Sequence, residues 1–326
     1  MAAAETRTKR AAVIYNPIKV DLVKLRREVS KSEKAAGWLA SLWLPTDVGD
    51  IGTGQARRAI ADGVDVVLVA GGDGTVRAVA EGLRGSGVAL SLLPAGTGNV
   101  LARNLDISVM QLAASVHTAF TGVDRAIDVG VIEFERADHS RETHAFVALA
   151  GLGLDAKMIA NTRPELKRRV GWLAYVDAIA RSMRDSEKIR MRYRLDGGEE
   201  RVMSVHTILV GNVGLLPGNV LLLPDAEVDD GLFDIVTLRP EGLGGWAQIW
   251  AKILWENGVL RRSSVGRRLA GLAREVRTLR YLRGRRISVQ LDRPEDFELD
   301  GDDFGLVLAF DAHVDPAALI VRVPAL

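Results

Sequence analysis

The chain has 326 residues, 48% of them hydrophobic and 26% charged, with a formal net charge of +1 and no cysteine. That length exceeds what one core usually holds, so two domains are expected, and the missing cysteines exclude disulfides and thiolate metal sites. No apolar run approaches the roughly 20 residues that span a bilayer, and MAAAETRTKR lacks a signal-peptide core, so the expectation is a cytoplasmic protein.

The first third alternates strand and helix. Ala11–Tyr15 reads as a strand ending in Asn16-Pro17, and 20–35 as a helix with apolar Leu22, Leu25 and Val29 on one side. Leu39–Leu44 follows as a strand and Gly54–Ala61 as a short helix. In VDVVLVA, from Val64, the β-branched run suits a strand buried on both faces; Gly71, Gly72 and Gly74 then let backbone approach a ligand closely. A helix is expected from Thr75, its free N–H groups and positive dipole end favouring an anion. The pattern repeats after Val88–Leu93, where Pro94, Gly96, Thr97, Gly98 and Asn99 lead to another helix start. Two anion cradles one βα unit apart suggest a polyphosphate. A further helix is expected near Val109–Phe120. Repeated strand–helix units imply a parallel sheet with ligands at the carboxyl ends of its strands.

From about Asp128 the pattern changes. In KIRMRYRLD, Ile189, Met191, Tyr193 and Leu195 alternate with Arg190, Arg192 and Arg194, a period of two with one wet face, and Ile287, Val289 and Leu291 repeat it. Asp128–Phe134, Thr143–Leu149, Val202–Gly211, Phe233–Leu238 and Leu306–Phe310 are further expected strands of an antiparallel sheet. Helices are expected over 164–182 and 243–254. A last strand, Ala318–Val323, is expected to return to the first domain. The division is 1–127 plus 312–326, and 128–311.

Some signatures are missing: no GxxxxGK[ST], no HRD or DFG, no HExxH. Gly151–Ala156 fits GxGxxA, with Asp177 downstream, but the following segment reads as helix and not as the second strand of a βαβ unit. The five histidines have no metal-ligand spacing. Read alone, GGDGT is also a tight turn with Asp73 capping the next helix, and Asp300-Gly301 is a hairpin turn. Asp225, Asp229, Asp230 and Asp234 form an acidic group that suits either a solvated loop or a hard cation such as Mg²⁺.

Between Glu241 and Gln290 there are 11 Lys and Arg against three Glu, a basic sector that points to an anionic surface. Trp246, Trp250 and Trp255 are spaced to share a helix side ahead of Arg261, Arg262, Arg267 and Arg268. That pattern fits a membrane interface, or equally a core helix followed by a solvated face. Nothing resembles a nucleic-acid motif.

Asn16-Pro17, GGDGTVRAVAEGL at 71–83 and LPAGTGNVLARNL at 93–105 together resemble the diacylglycerol kinase catalytic family, which includes sphingosine and ceramide kinases. Gly171–Tyr175, the 224–231 acidic loop and Leu299-Asp300-Gly301-Asp302 extend the likeness. The resemblance implies an N-terminal Rossmann-like domain of the NAD kinase and phosphofructokinase kind, joined to an antiparallel β-sandwich, with ATP in the cleft between them. It places ATP against Asn16, Pro17, Thr46, Gly71, Gly72, Asp73, Gly74, Thr75, Arg77, Thr97, Gly98 and Asn99. Asp73 would act through Mg²⁺ or by positioning the nucleotide. Asp300 would take the lipid hydroxyl proton, beside Asp302 where the family usually has Glu, and the Asp230 carboxylate with the carbonyls of Glu227 and Leu232 would hold a structural Mg²⁺. The implied activity is transfer of the γ-phosphate of ATP to a lipid hydroxyl at a membrane surface. Diacylglycerol is the first acceptor, sphingoid and other lipid alcohols come next, and segment 241–290 would meet anionic lipid. Competing readings are an NAD kinase-like enzyme, which also carries GGDG, and a lipid- or nucleotide-binding regulator without turnover. An unpaired sheet edge in the second domain would suit a homodimer.

Overall fold

The computed structural model describes residues 8–153, 188–216, 220–240, 245, 248–249 and 279–325. The expected helices 164–182 and 243–254, the Gly171–Tyr175 likeness, Asp177, the three tryptophans and Arg261–Arg268 lie wholly or largely outside them. Two compact units emerge, Met1–Val129 with Pro316–Leu326, and Gly130–Asp315.

In the first unit the parallel strands β1 (Arg10–Tyr15), β2 (Leu39–Pro45), β3 (Val66–Gly71) and β4 (Ala89–Pro94) lie in the order β2-β1-β3-β4. The helices are α1 (Leu22–Ala35), α2 (Thr53–Ala61), α3 (Asp73–Leu83), α4 (Val100–Asn104) and α5 (Leu112–Thr121). Ala11, Val13, Val66 and Leu68 join Leu25, Val29, Val116 and Ala119 of α1 and α5 in one core, while Ala12, Ile14, Val67 and Val69, on the other face, are also fully buried. That two-sided burial is why these strands read as unbroken apolar runs and not as alternation. Asp21 caps α1 by accepting the Lys24 N–H at 3.0 Å. The chain's last strand returns to this sheet, with Val321 beside Leu90 in parallel.

The second unit is antiparallel. Its strands include β8 (Ile189–Leu195), β10 (Thr207–Gly211), the two-residue pair β11 (Leu215–Leu216) and β12 (Val220–Leu221), β13 (Phe233–Leu238), β14 (Leu279–Gly284) and β15 (Arg286–Leu299). In β8 the alternation is borne out, with Ile189, Met191 and Tyr193 buried and the three arginines exposed. Strands β10 and β13 are buried on both faces: Ile208, Val210, Phe233 and Ile235 serve one core, and Leu209, Val236 and Leu238 another.

Five strand expectations need correction. β5 (Val123–Glu135) starts at Val123, not Asp128, because its first four residues are exposed and the buried apolar run begins only at Ile127. Thr143–Leu149 is two strands, β6 (Arg141–Phe146) and β7 (Leu149–Leu152), because the N–H groups of Val147, Ala148 and Leu149 turn to a side chain instead of the ladder. Val202–Gly211 is also two, β9 (Arg201–Val205) and β10. In contrast, Leu306–Phe310 and Ala318–Val323 belong to one strand, β16 (Asp302–Val323), which continues past Pro316 and the positive-φ Ala317.

Candidate functional site

In the first unit the expected loops converge because adjacent parallel strands release their chains at the same edge. The Asn16 N–H donates to Ala70 O at 2.9 Å, Thr46 N–H to Tyr15 O at 2.9 Å, and Ala95 N–H to Gly71 O at 3.2 Å, tying the exits of β1, β2, β3 and β4 together. Asn16 Oδ1 accepts the Ile18 N–H at 3.0 Å, which fixes the turn through exposed Pro17.

The two glycine loops are packed against one another. A Cβ on Gly96 would stand 2.8 Å from Gly72 Cα, so a side chain at this position would collide with backbone of the first loop. Asp73 joins the loops chemically: Oδ2 accepts the Asn99 N–H at 3.0 Å and Oδ1 the Val100 N–H at 2.7 Å. Asp73 is a cap, as GGDGT read alone suggests, but of α4 in the second loop and not of its own helix. Asn99, at φ 47°, closes that loop with two bonds to Gly96, and Arg103 Nε donates to Gly98 O at 2.9 Å. Thr75 is buried under Gly71 and Arg77 is buried beside Glu81, whereas Thr97 is exposed at the loop tip.

One contributor escaped the sequence reading. Lys19 Nζ stands 3.1 Å from the place a Cβ on Gly72 would occupy, so an ammonium lies over the first loop. The available signal was position: Lys19 follows Asn16 by three residues, in the loop leaving β1.

In the second unit Asp300 and Gly301, at φ 50° and 87°, form the two-residue turn between β15 and β16, with Leu299 opposite Asp302. The hairpin reading is therefore right for the backbone. The side chain goes further. Oδ2 accepts the Val147 N–H at 2.9 Å, and Oδ1 those of Ala148 and Leu149, both at 2.8 Å; the residue is 8% exposed. Three successive N–H groups converging on one anion make a nest that fixes the carboxylate's orientation. Asp302, half-buried, is the first residue of the returning strand.

In the acidic loop, where a structural Mg²⁺ is expected at Asp230, Glu227 and Leu232, the Asp230 carboxylate already has protein partners on both oxygens. Arg283 Nη2 donates to Asp230, its Nε donates to Asp234 Oδ2 at 3.3 Å, and the Leu232 N–H donates to Asp230 Oδ1 at 2.9 Å. Burial pushes the Asp234 carboxyl up from its ordinary value, and Arg283 pulls it back; Arg283 in turn is held more firmly protonated, chiefly by Asp234. The basic segment also loses part of its excess here, because Arg286 pairs with Asp311 at 2.8 Å. Among the described residues no helix is long and apolar enough to cross a membrane.

Comparison with known proteins bears on both units. Residues 10–132 match the diacylglycerol kinase catalytic domain, and residues 148–253 match the YegS C-terminal NAD kinase beta sandwich-like domain. The diacylglycerol kinase of Bacillus subtilis (strain 168) is 27% identical over 307 residues, 92% of this chain and 91% of that protein. That of Staphylococcus aureus (strain JH9) is 29% identical over 242 residues, 72% of each. A crystal structure of a diacylglycerol kinase from Bacillus anthracis str. Sterne superposes with a TM-score of 0.66 at 18% identity, covering 98% of both chains, a likeness of fold.

Proposed function

Starting from the fact that the chain belongs to the diacylglycerol kinase catalytic family and is a kinase, we propose that it transfers the γ-phosphate of ATP to the hydroxyl of diacylglycerol, giving phosphatidic acid. The observation that carries this reading is the pair of glycine loops held together by Asp73, with Lys19 above the first of them. Backbone N–H groups and an ammonium suit the β- and γ-phosphates of a nucleotide. Phosphoryl transfer passes through a loose transition state, so positioning and charge neutralisation count for more than a strong base.

Within this reading Asn16, Thr46, the 71–77 loop and Thr97 bind the nucleotide, and Asp73 is a positioning residue that keeps the two loops in register. Mg²⁺ would enter with ATP and supply charge neutralisation of the phosphates. Asp300 is assigned as proton acceptor on the family resemblance, with Asp302 beside it in the hairpin. The acceptor is drawn from a membrane surface, the basic segment 241–290 meeting anionic lipid.

The test is a panel of acceptors incubated with ATP and Mg²⁺ and read by mass: diacylglycerol, sphingosine, ceramide and NAD. Phosphatidic acid as the main product supports the proposal. A phosphorylated sphingoid base would move the acceptor assignment, NADP would replace the reading with the NAD kinase-like one, and binding of ATP and vesicles without any product would favour the regulator.

A further inference from the structure

The acidic loop before β13 meets a cation that belongs to the chain. Strands β13 and β14 pair antiparallel with Asp234 opposite Arg283, so the strand register itself sets the guanidinium against that carboxylate. Asp234 is 6% exposed and Asp230 half-buried. The Arg283 fork reaches three points of the loop: Nε donates to Asp234 at 3.3 Å, Nη2 donates to Asp230, and Nη2 lies 3.4 Å from the Asp225 carbonyl oxygen. A planar guanidinium with divergent donors is suited to such bridging, whereas a divalent ion at this loop would have to compete with it for the Asp230 carboxylate, the one expected ligand that Arg283 already holds.

We infer that Arg283 is the built-in cation of the 225–234 loop, taking the structural place that the family resemblance gives to Mg²⁺, so that this unit holds its loop without a divalent ion. The Mg²⁺ that accompanies ATP is a separate requirement, and the inference stands whichever substrate the enzyme phosphorylates. Its direct consequence is an asymmetry: turnover depends on Mg²⁺, while the stability of the nucleotide-free protein does not.

The experiment is thermal unfolding of the full chain without nucleotide, in excess EDTA and in millimolar Mg²⁺ or Ca²⁺, for the wild type, Arg283→Ala and Arg283→Lys. The wild type is expected to melt at the same temperature in all three buffers. Arg283→Ala is expected to melt lower by about 2 °C in EDTA, the partner carboxylates being left without their counter-charge while solvent screens part of the loss at this half-exposed guanidinium. Arg283→Lys, which keeps the charge but loses the fork, falls between. A wild-type midpoint that drops in EDTA and recovers with Mg²⁺ overturns the inference, as does an Arg283→Ala protein that melts like the wild type in EDTA. Should Arg283→Ala fail to fold, the wild-type comparison and Arg283→Lys still decide it.

Discussion

Asp73, the first residue of α3, holds the N–H of Val100, the first residue of α4, at 2.7 Å. Its second oxygen takes the neighbouring N–H of Asn99. One carboxylate thus ties the two glycine loops together through partners 26 and 27 residues further along the sequence. Losing a helix cap costs about 1 kcal/mol, whereas displacing a reactant by about 1 Å can cost roughly 100-fold in rate. Asp73→Ala is therefore expected to lower kcat/KM for ATP by about two orders of magnitude with only a small fall in melting temperature. Asp73→Asn, which keeps one acceptor oxygen, should retain part of the activity. Circular dichroism melts beside initial rates check both, and near-normal turnover in Asp73→Ala would remove its positioning role.

The contact between Gly72 and Gly96 leads to a second expectation. A methyl at 96 would stand 2.8 Å from Gly72 Cα, closer than a Cβ and a backbone carbon can sit, so the loops must part. Gly96→Ala should raise KM for ATP about 10-fold or more, a change worth about 1.4 kcal/mol of nucleotide binding. Acceptor KM should stay near its wild-type value, since the strain lies within the first unit. Titrating ATP and lipid separately distinguishes the two; equal effects on both would contradict the assignment of these loops to the nucleotide.

Substituting Asp300 should not act on catalysis alone. Its carboxylate satisfies three N–H groups at 147–149, and leaving a buried donor unpaired costs about 1–3 kcal/mol. Asp300→Ala is expected to destabilise by several kcal/mol, on the order of the sum of those costs discounted for relaxation, and to abolish turnover. Asp302→Asn is expected to reduce turnover while the melting temperature holds. Urea unfolding and activity measured on the same preparations separate a lost anchor from a lost proton acceptor. If Asp300→Ala were as stable as the wild type, the anchoring role would be wrong.

What the sequence revealed and what it hid divide along a physical line. The loops at 71–77 and 94–99 were legible because a strand, a glycine turn and a helix start are contiguous, and local sterics dictate them. The Asp300-Gly301 turn was legible for the same reason. The partners were not: Asp300 reaches residues 151 to 153 positions away, and Arg283 reaches Asp234 and Asp230 across 49 and 53 positions. A carboxylate's identity does not encode which N–H or guanidinium it will meet; strand register does. The same cause broke Thr143–Leu149 into two strands, since nothing in its apolar run announces that three of its N–H groups belong to Asp300. The acidic residues alone left a solvated loop and a hard cation equally open, and the metal at Asp230 came from the resemblance; that Arg283 meets this carboxylate could not be read locally, because the arginine lies on a different strand.

His206 carries a pH dependence that its neighbours set. Burial, and secondarily the charge of Lys188, hold its imidazole below the ordinary value of 6.5. The unfolded chain therefore binds a proton that the folded chain resists, and stability falls as pH drops from about 6.5 toward the lower folded value. Above that window the residue has no effect on the slope. His206→Gln should flatten this part of the stability curve. Urea midpoints of both proteins across the mildly acidic range check it, and parallel curves would show that His206 does not titrate differently on folding.

Lys19 offers a direct probe of the phosphate reading. It is exposed, and its ammonium reaches the first glycine loop from the turn after β1. A hydrogen bond to a charged group contributes about 1.5–3 kcal/mol, so Lys19→Ala should weaken the ATP interaction by roughly 10- to 150-fold in kcat/KM. Lys19→Arg should recover part of this by keeping the charge. Because the attraction is partly long-range, raising ionic strength should depress wild-type kcat/KM for ATP more than that of Lys19→Ala. Stability should be the same in all three proteins. Unchanged kinetics in Lys19→Ala would mean that the ammonium lies over the loop without meeting a phosphate, and the cradle would then rest on backbone N–H groups alone.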